Sequence, residues 1–269
     1  MPCCSRHAYY WLMRRQYFPF LLGLAGVLAA GLVAAAEPAL SRTVSAREML
    51  DRIDDLFRGA TSHGVMTMKV VTANWNRELK LEEWSEGKDK SLIRILSPHK
   101  ERGTATLKVG NDIWNFLPKV RRVIKLPSSM MGDAWMGSHF TNDDLVKDSR
   151  MADDYDYAVS FQGLKEGVVV SEITCRPRPR AAVVWGKIVM RVRDSDGMPL
   201  EGDYYDEDMN LARRMVFTDF REFGGRTIPA KMTILPADKP KESTTVVYEQ
   251  MEFDGALAPG TFTLRNLQK

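Results

Sequence analysis

Between Met49 and Phe57 the apolar residues Met49, Leu50, Ile53, Leu56 and Phe57 recur at helical spacing, which predicts one amphipathic helix. Ser45-Ala46-Arg47-Glu48 ahead of it has the form of a capping box, with Ser45 at the N-cap and Glu48 reaching back, and Gly59 ends the run. From Gly64 the period changes to two: Met66, Met68 and Val70 alternate with Thr67 and Lys69, and Leu79 and Leu81 with Lys80 and Glu82. Strand-like segments follow near 64–75, 77–85, 90–96, 103–109, 112–117, 120–126, 167–175, 186–193, 200–206, 211–220, 226–235 and 244–253. Gly110-Asn111, Asp196-Gly197 and Gly224-Gly225 supply turns between them. The pattern describes an antiparallel meander of about a dozen strands, on which the helix lays its apolar stripe.

Two segments interrupt the alternation. Residues 127–151 form a long excursion rich in Met and aromatics, and long excursions from a sheet are often lids or binding loops. Thr141-Asn142-Asp143-Asp144 within it reads as a helix start, where negative charge is stabilised, rather than as a catalytic acid pair. Arg176-Pro-Arg-Pro-Arg180 reads as an exposed, basic linker between strands.

Residues 1–36 have the zones of a secretory signal: Arg14 and Arg15, an apolar run from Phe18 to Val33, then Ala34-Ala35-Ala36 before Glu37. The run is long enough for an uncleaved anchor, but its small-residue ending favours removal after Ala36 and leaves one domain over residues 37–269. Met13 is an alternative start. Arg14-Arg15 also admits a twin-arginine reading, against which stand the strong apolar run and the lack of a cofactor motif. The full chain has 38 basic and 35 acidic residues; the first 36 hold three arginines and no acid, so a chain starting at Glu37 has no formal net charge. Nothing in that balance argues for nucleic acid. Cys175 is the one cysteine left after Cys3 and Cys4 are removed, so no internal disulfide framework is expected.

His63, His99 and His139 are dispersed, which argues against a metal site, and neither a nucleophile elbow, a phosphate loop nor a dinucleotide fingerprint occurs. No catalytic residue and no cofactor are expected. The apolar inventory points elsewhere. Met66, Met68, Trp84, Trp114, Phe116, Met130, Met131, Trp135 and Met136 are candidate lipid-binding residues, since thioethers and wide rings suit a surface that fits varied apolar partners. Met66 and Met68 taken singly read more simply as core; Met130, Met131, Trp135 and Met136 lie among glycines and serines, where apolar groups need something to cover. Trp114 and Phe116 alternate on one strand face, expected to point inward beside Trp84. Lys119, Arg121, Arg122 and Lys125 form a basic cluster that either contacts lipid headgroups or an acidic partner, or is an ordinary solvated strand face.

The runs Ile93-Arg94-Ile95-Leu96-Ser97-Pro98 to Arg102-Gly103-Thr104-Ala105, Ile113-Trp114-Asn115-Phe116-Leu117-Pro118 to Arg121-Arg122-Val123, and Gly137-Ser138-His139-Phe140-Thr141-Asn142-Asp143-Asp144-Leu145 resemble the outer-membrane lipoprotein-sorting (LolA-like) proteins. The likeness spans about Ser45 to Leu267. It implies a mainly β fold, an incomplete antiparallel β-barrel (half-barrel) of about eleven strands, with helices and a lid loop covering a hydrophobic cavity. It also implies a soluble periplasmic carrier for lipoprotein acyl chains or a related lipid, without catalysis. An inner-membrane transporter as donor, an outer-membrane acceptor and a monomeric state complete that expectation. The rival readings are a non-catalytic adaptor on an envelope transporter and, third, a hydrolase.

Overall fold

The alternation in the sequence becomes strands whose inward positions are apolar. In the computed structural model, which describes residues 44–147, 151–181 and 183–269, β1 (Thr61–Val71) buries Gly64, Met66, Met68 and Val70 and turns Lys69 to solvent. β2 (Asn76–Glu86), β3 (Lys90–Ser97), β4 (Ala105–Val109), β5 (Asp112–Leu117) and β6 (Arg122–Lys125) continue away from it on one side. β7 (Tyr155–Lys165), β8 (Val168–Pro177), β9 (Lys187–Arg193), β10 (Pro199–Tyr205), β11 (Leu211–Phe223), β12 (Arg226–Pro236) and β13 (Ser243–Phe253) return to it from the other. All thirteen form one antiparallel sheet in the order β6-β5-β4-β3-β2-β1-β13-β12-β11-β10-β9-β8-β7. The sheet stays open, with β6 and β7 at its edges.

Thirteen strands stand against twelve segments from the alternation and about eleven from the resemblance, and the strand that the alternation missed is β7. That edge strand does alternate in sequence, with Tyr155, Tyr157, Val159 and Phe161 separated by Asp156, Ala158 and Ser160, but it is largely exposed and its register shifts between Val159 and Phe161. The expected helix is α1 (Ala46–Asp55), whose capping box is present: Ser45 N donates to Glu48 Oε2 at 2.9 Å and Glu48 N to Ser45 Oγ at 3.2 Å. α2 (Asn142–Lys147), α3 (Met151–Asp154) and α4 (Leu264–Leu267) are short. Among the described residues no helix is long and apolar enough to cross a membrane. The signal-peptide reading of residues 1–36 lies outside the described residues.

The inner face has two coverings. α1 and α3 pack Leu50, Ile53 and Met151 on Ile173, Ile188, Met190 and Met215 of the β8–β11 half. On the other half, Met66, Met68, Leu79, Leu81, Ile93 and Val246 meet Trp135 of the excursion. Paired residues share a face, so Trp84, Leu92, Leu107 and Trp114, matched across β2 to β5, make a row on the outer face. There Phe262 and Leu267 of the C-terminal segment cover them.

Candidate functional site: a roofed cavity on the inner face

After β6 the chain crosses back over the inner face. Two single 3-10 turns, Ser128–Met130 and Trp135–Gly137, lead into α2. Met136 (φ 50) and Gly137 (φ 69) sit in the left-handed region, which reverses the chain so that Trp135 N donates to Phe140 O at 2.7 Å and Ala134 bridges Thr141. The reversal drives the Trp135 ring onto the sheet. It is 4% exposed, and its Nε1 donates to Thr106 Oγ1 of β4 at 3.1 Å. As the sequence predicts, a helix starts at Thr141: Asp144 N donates to Thr141 Oγ1 at 3.1 Å, and Thr141 N to Asp144 Oδ2 at 2.7 Å.

This roof is attached to the sheet by polar contacts rather than by a continuous ladder. Arg213 of β11 donates Nη1 to Asp144 Oδ2 at 2.7 Å and Nη2 to Asp144 Oδ1 at 2.6 Å, and Nη1 also to His139 O at 3.1 Å. Its guanidinium lies over Trp185 and Tyr204, 4.3 and 4.4 Å from the ring centres. Both partners of this ion pair are buried. A bidentate pair removed from water fixes geometry more surely than it adds net stability. His139 contacts Thr244 Oγ1 through Nδ1 at 2.8 Å and Glu242 Oε2 through Nε2 at 3.1 Å, while Arg77 Nη1 donates to Met136 O at 2.7 Å. The Ala73 amide, and after it His139, holds the Glu242 carboxyl below its ordinary pKa.

Beneath the roof lies a cavity of about 100 Å³ lined by Met66, Met68, Leu81, Ile93, Trp135, Phe140, Leu145, Met232, Val246 and Tyr248, with Arg58, Glu83, Ser91 and Asp144 as its polar wall. A second, of about 90 Å³, lies under α1 between Ile53, Phe57, Met151, Met190, Phe217 and Met232. Arg58, Glu83, Met232 and Tyr248 line both. Burial pushes the Glu83 carboxyl up, and the charges of Arg58 and Lys108 only partly offset it. Ligand pockets usually measure some 300–1,000 Å³; both of these inner spaces are smaller, with Trp135 packed between roof and sheet.

Three of the candidate lipid-binding residues, Met66, Met68 and Trp135, are brought together in the cavity wall. Met136 packs at its margin and faces a rim groove with Arg77, Leu117 and Val120. Met131 packs by Ile113 and Leu126, and Met130 is exposed. Trp84, Trp114 and Phe116 require correction. They do lie together, but on the outer face under the C-terminal segment, because Glu83 and Asn115 rather than their neighbours hold the inward register. Lys119, Arg121, Arg122 and Lys125 are exposed at the β5–β6 corner, with Lys125 paired to Asp112 at 2.9 Å and lying over Trp114. The sequence reading missed Arg58, Glu83 and Arg213. Glu83 stands in phase with Leu79 and Leu81, and Arg213 in phase with Met215 and Phe217, so a charge at an inward position was the available signal.

Residues 87–269 match a family described as "-like: Uncharacterized protein", more than half of the sequence. The chain belongs to this family. Among solved structures it is similar to a DUF1329 family protein from Desulfovibrio piger, with TM-score 0.75 and 21% identity over 82% of this chain and 97% of that one. A domain described as an outer membrane lipoprotein-sorting protein, from Vibrio parahaemolyticus, gives 0.72 and 20% over 83% and 98%. A LolA superfamily protein from Nitrosomonas europaea gives 0.70 and 21% over 83% and 99%. No curated protein matches the sequence. The fold of this family member is therefore LolA-like: mainly β, an open antiparallel sheet that stops short of a barrel.

Proposed function

We propose that the protein is a non-covalent carrier that shields the apolar chains of a lipid, such as lipoprotein acyl chains, between its inner face and its roof. The observation that carries this reading is the construction of the roof: an apolar underside led by Trp135, held over an apolar sheet face by separable polar contacts from Arg77, Arg213, Thr244 and Glu242. Each methylene taken from water is worth about 0.8 kcal/mol, so a lipid moving through water needs such a cover, and a carrier must be able to lift it. In the closed form Trp135 stands in for cargo; loading displaces the roof and shifts the population to an open form. A leader over residues 1–36 would deliver the chain outside the cytoplasm, and the outer membrane lipoprotein-sorting description of one structural relative fits a periplasmic carrier between an inner-membrane donor and an outer-membrane acceptor. The reaction requires no bond making.

The smallness of the closed cavity favours one rival, an adaptor that docks on an envelope transporter without loading. Native mass spectrometry after gentle purification, together with uptake of a fluorescent long-chain probe, separates the two. Bound lipid and saturable uptake support the carrier; repeated preparations without ligand and no uptake would leave the adaptor.

A further inference from the structure

The inner face carries one polar feature that an acyl-chain sleeve does not need. Arg58, just beyond α1, and Glu83, on β2, both line both cavities, at the place where the space under the roof adjoins the space under α1. Each is half-buried. Glu83 lies within electrostatic reach of Arg58, yet among the described residues no ion pair joins them, and neither side chain makes a hydrogen bond. The other interior charges are spoken for. Asp144 is held by Arg213, Lys88 approaches Asp54 at 3.6 Å, and Lys108 donates to Lys88 O at 2.6 Å. The polar atoms of Arg58 and Glu83 still reach water, which a headgroup entering the cavity would replace.

Resting on the carrier reading above, we propose that the cavity takes a single-chain amphiphile head inward, with a carboxylic acid headgroup seated between Arg58 and Glu83. The chemistry selects that class. A guanidinium presents paired donors that match a carboxylate. The protonated form favoured at Glu83 by burial would donate to the same headgroup instead of repelling it. The chain then has two apolar directions open to it, under α1 along Phe57, Met190 and Phe217, or under the roof along Met66 and Trp135. A diacylated lipid, whose head must stay outside, would leave both polar groups unused.

The test compares palmitic acid, its methyl ester and palmityl alcohol by displacement of a fluorescent probe from the whole protein at pH 7. Palmitic acid is expected to bind at least tenfold more tightly than the ester. Arg58→Gln should remove that preference, with a larger loss for the acid than for the ester, Arg58→Lys should restore part of it, and Glu83→Gln, which keeps a donor, should retain it. Unchanged thermal unfolding of each variant excludes a folding defect, and the ester serves as an internal control for an intact cavity. Equal binding of acid and ester, or a preference that survives Arg58→Gln, would overturn the head-inward arrangement while leaving the carrier standing. Failure of all three ligands to displace a bound probe would overturn this inference alone, and failure of the long-chain probe itself to bind would sink the carrier reading with it.

Discussion

Arg213 and Asp144 meet through two guanidinium nitrogens and two carboxylate oxygens, at 2.7 and 2.6 Å, one on a strand and the other on the roof above it. Replacing Arg213 with Met keeps much of the bulk between Trp185 and Tyr204 but strands the carboxylate. Breaking such a buried pair typically costs about 3–5 kcal/mol. Hydrogen exchange in Arg213→Met should quicken across 134–145 more than in β1 or β2. Unchanged exchange in that segment would show that the pair does not hold the roof.

Phe116 is 6% exposed within the outer-face cluster. Phe116→Glu is accordingly expected to destabilise the whole domain by at least about 3 kcal/mol, as core truncations of this size do and a buried charge exceeds. The urea midpoint measures it. A variant that remained as stable as the parent but lost lipid uptake would return Phe116 to the cavity.

Glu242 contributes to the roof's hold in its ionised form. Because its folded-state pKa is depressed by the Ala73 amide and then by His139, the contribution is present above the ordinary glutamate value of about 4.3 and fades as pH falls through the lower, folded value. Urea midpoints taken between pH 6 and pH 3 should fall less steeply for Glu242→Gln than for the parent. Parallel slopes would mean that this carboxylate is not part of the acid response.

Lys119, Arg121 and Arg122 are exposed beside the groove that Leu117, Val120 and Met136 line, and among the described residues none of the three has an ion pair. Cations next to exposed apolar side chains suit an anionic membrane surface, where each is worth about 1 kcal/mol. Reversing Arg121 and Arg122 to Glu should weaken sedimentation with phosphatidylglycerol vesicles about tenfold or more at low salt, and added salt should narrow the difference. If the reversal changes nothing, the cluster is a solvated edge.

The alternation of Met66 and Met68 was legible as an inward face because the intervening Thr67 and Lys69 are polar. In β2 to β5 the same logic failed at Trp84, Trp114 and Phe116, since a second apolar layer under the C-terminal segment makes both faces of that part of the sheet apolar. A period of two gives the existence of two faces and not which is enclosed. The roof was legible as an excursion rich in Met and aromatics, but its fastening was not. Arg213 and Asp144 are brought together only by the packed sheet, 69 positions apart.

At the centre of the sheet β1 lies against β13, with Ser62 opposite Phe253, nearly the whole domain away in sequence. Every other neighbouring pair in the sheet is consecutive along the chain and can zip by local turns. That single long-range pairing carries most of the loop-closure cost, and it cannot form until the last strand has been made. Two half-sheets would therefore wait for each other as the chain emerges. If the chain is exported as proposed above, the step that commits it to the native state would come only after nearly all of it had passed through the channel.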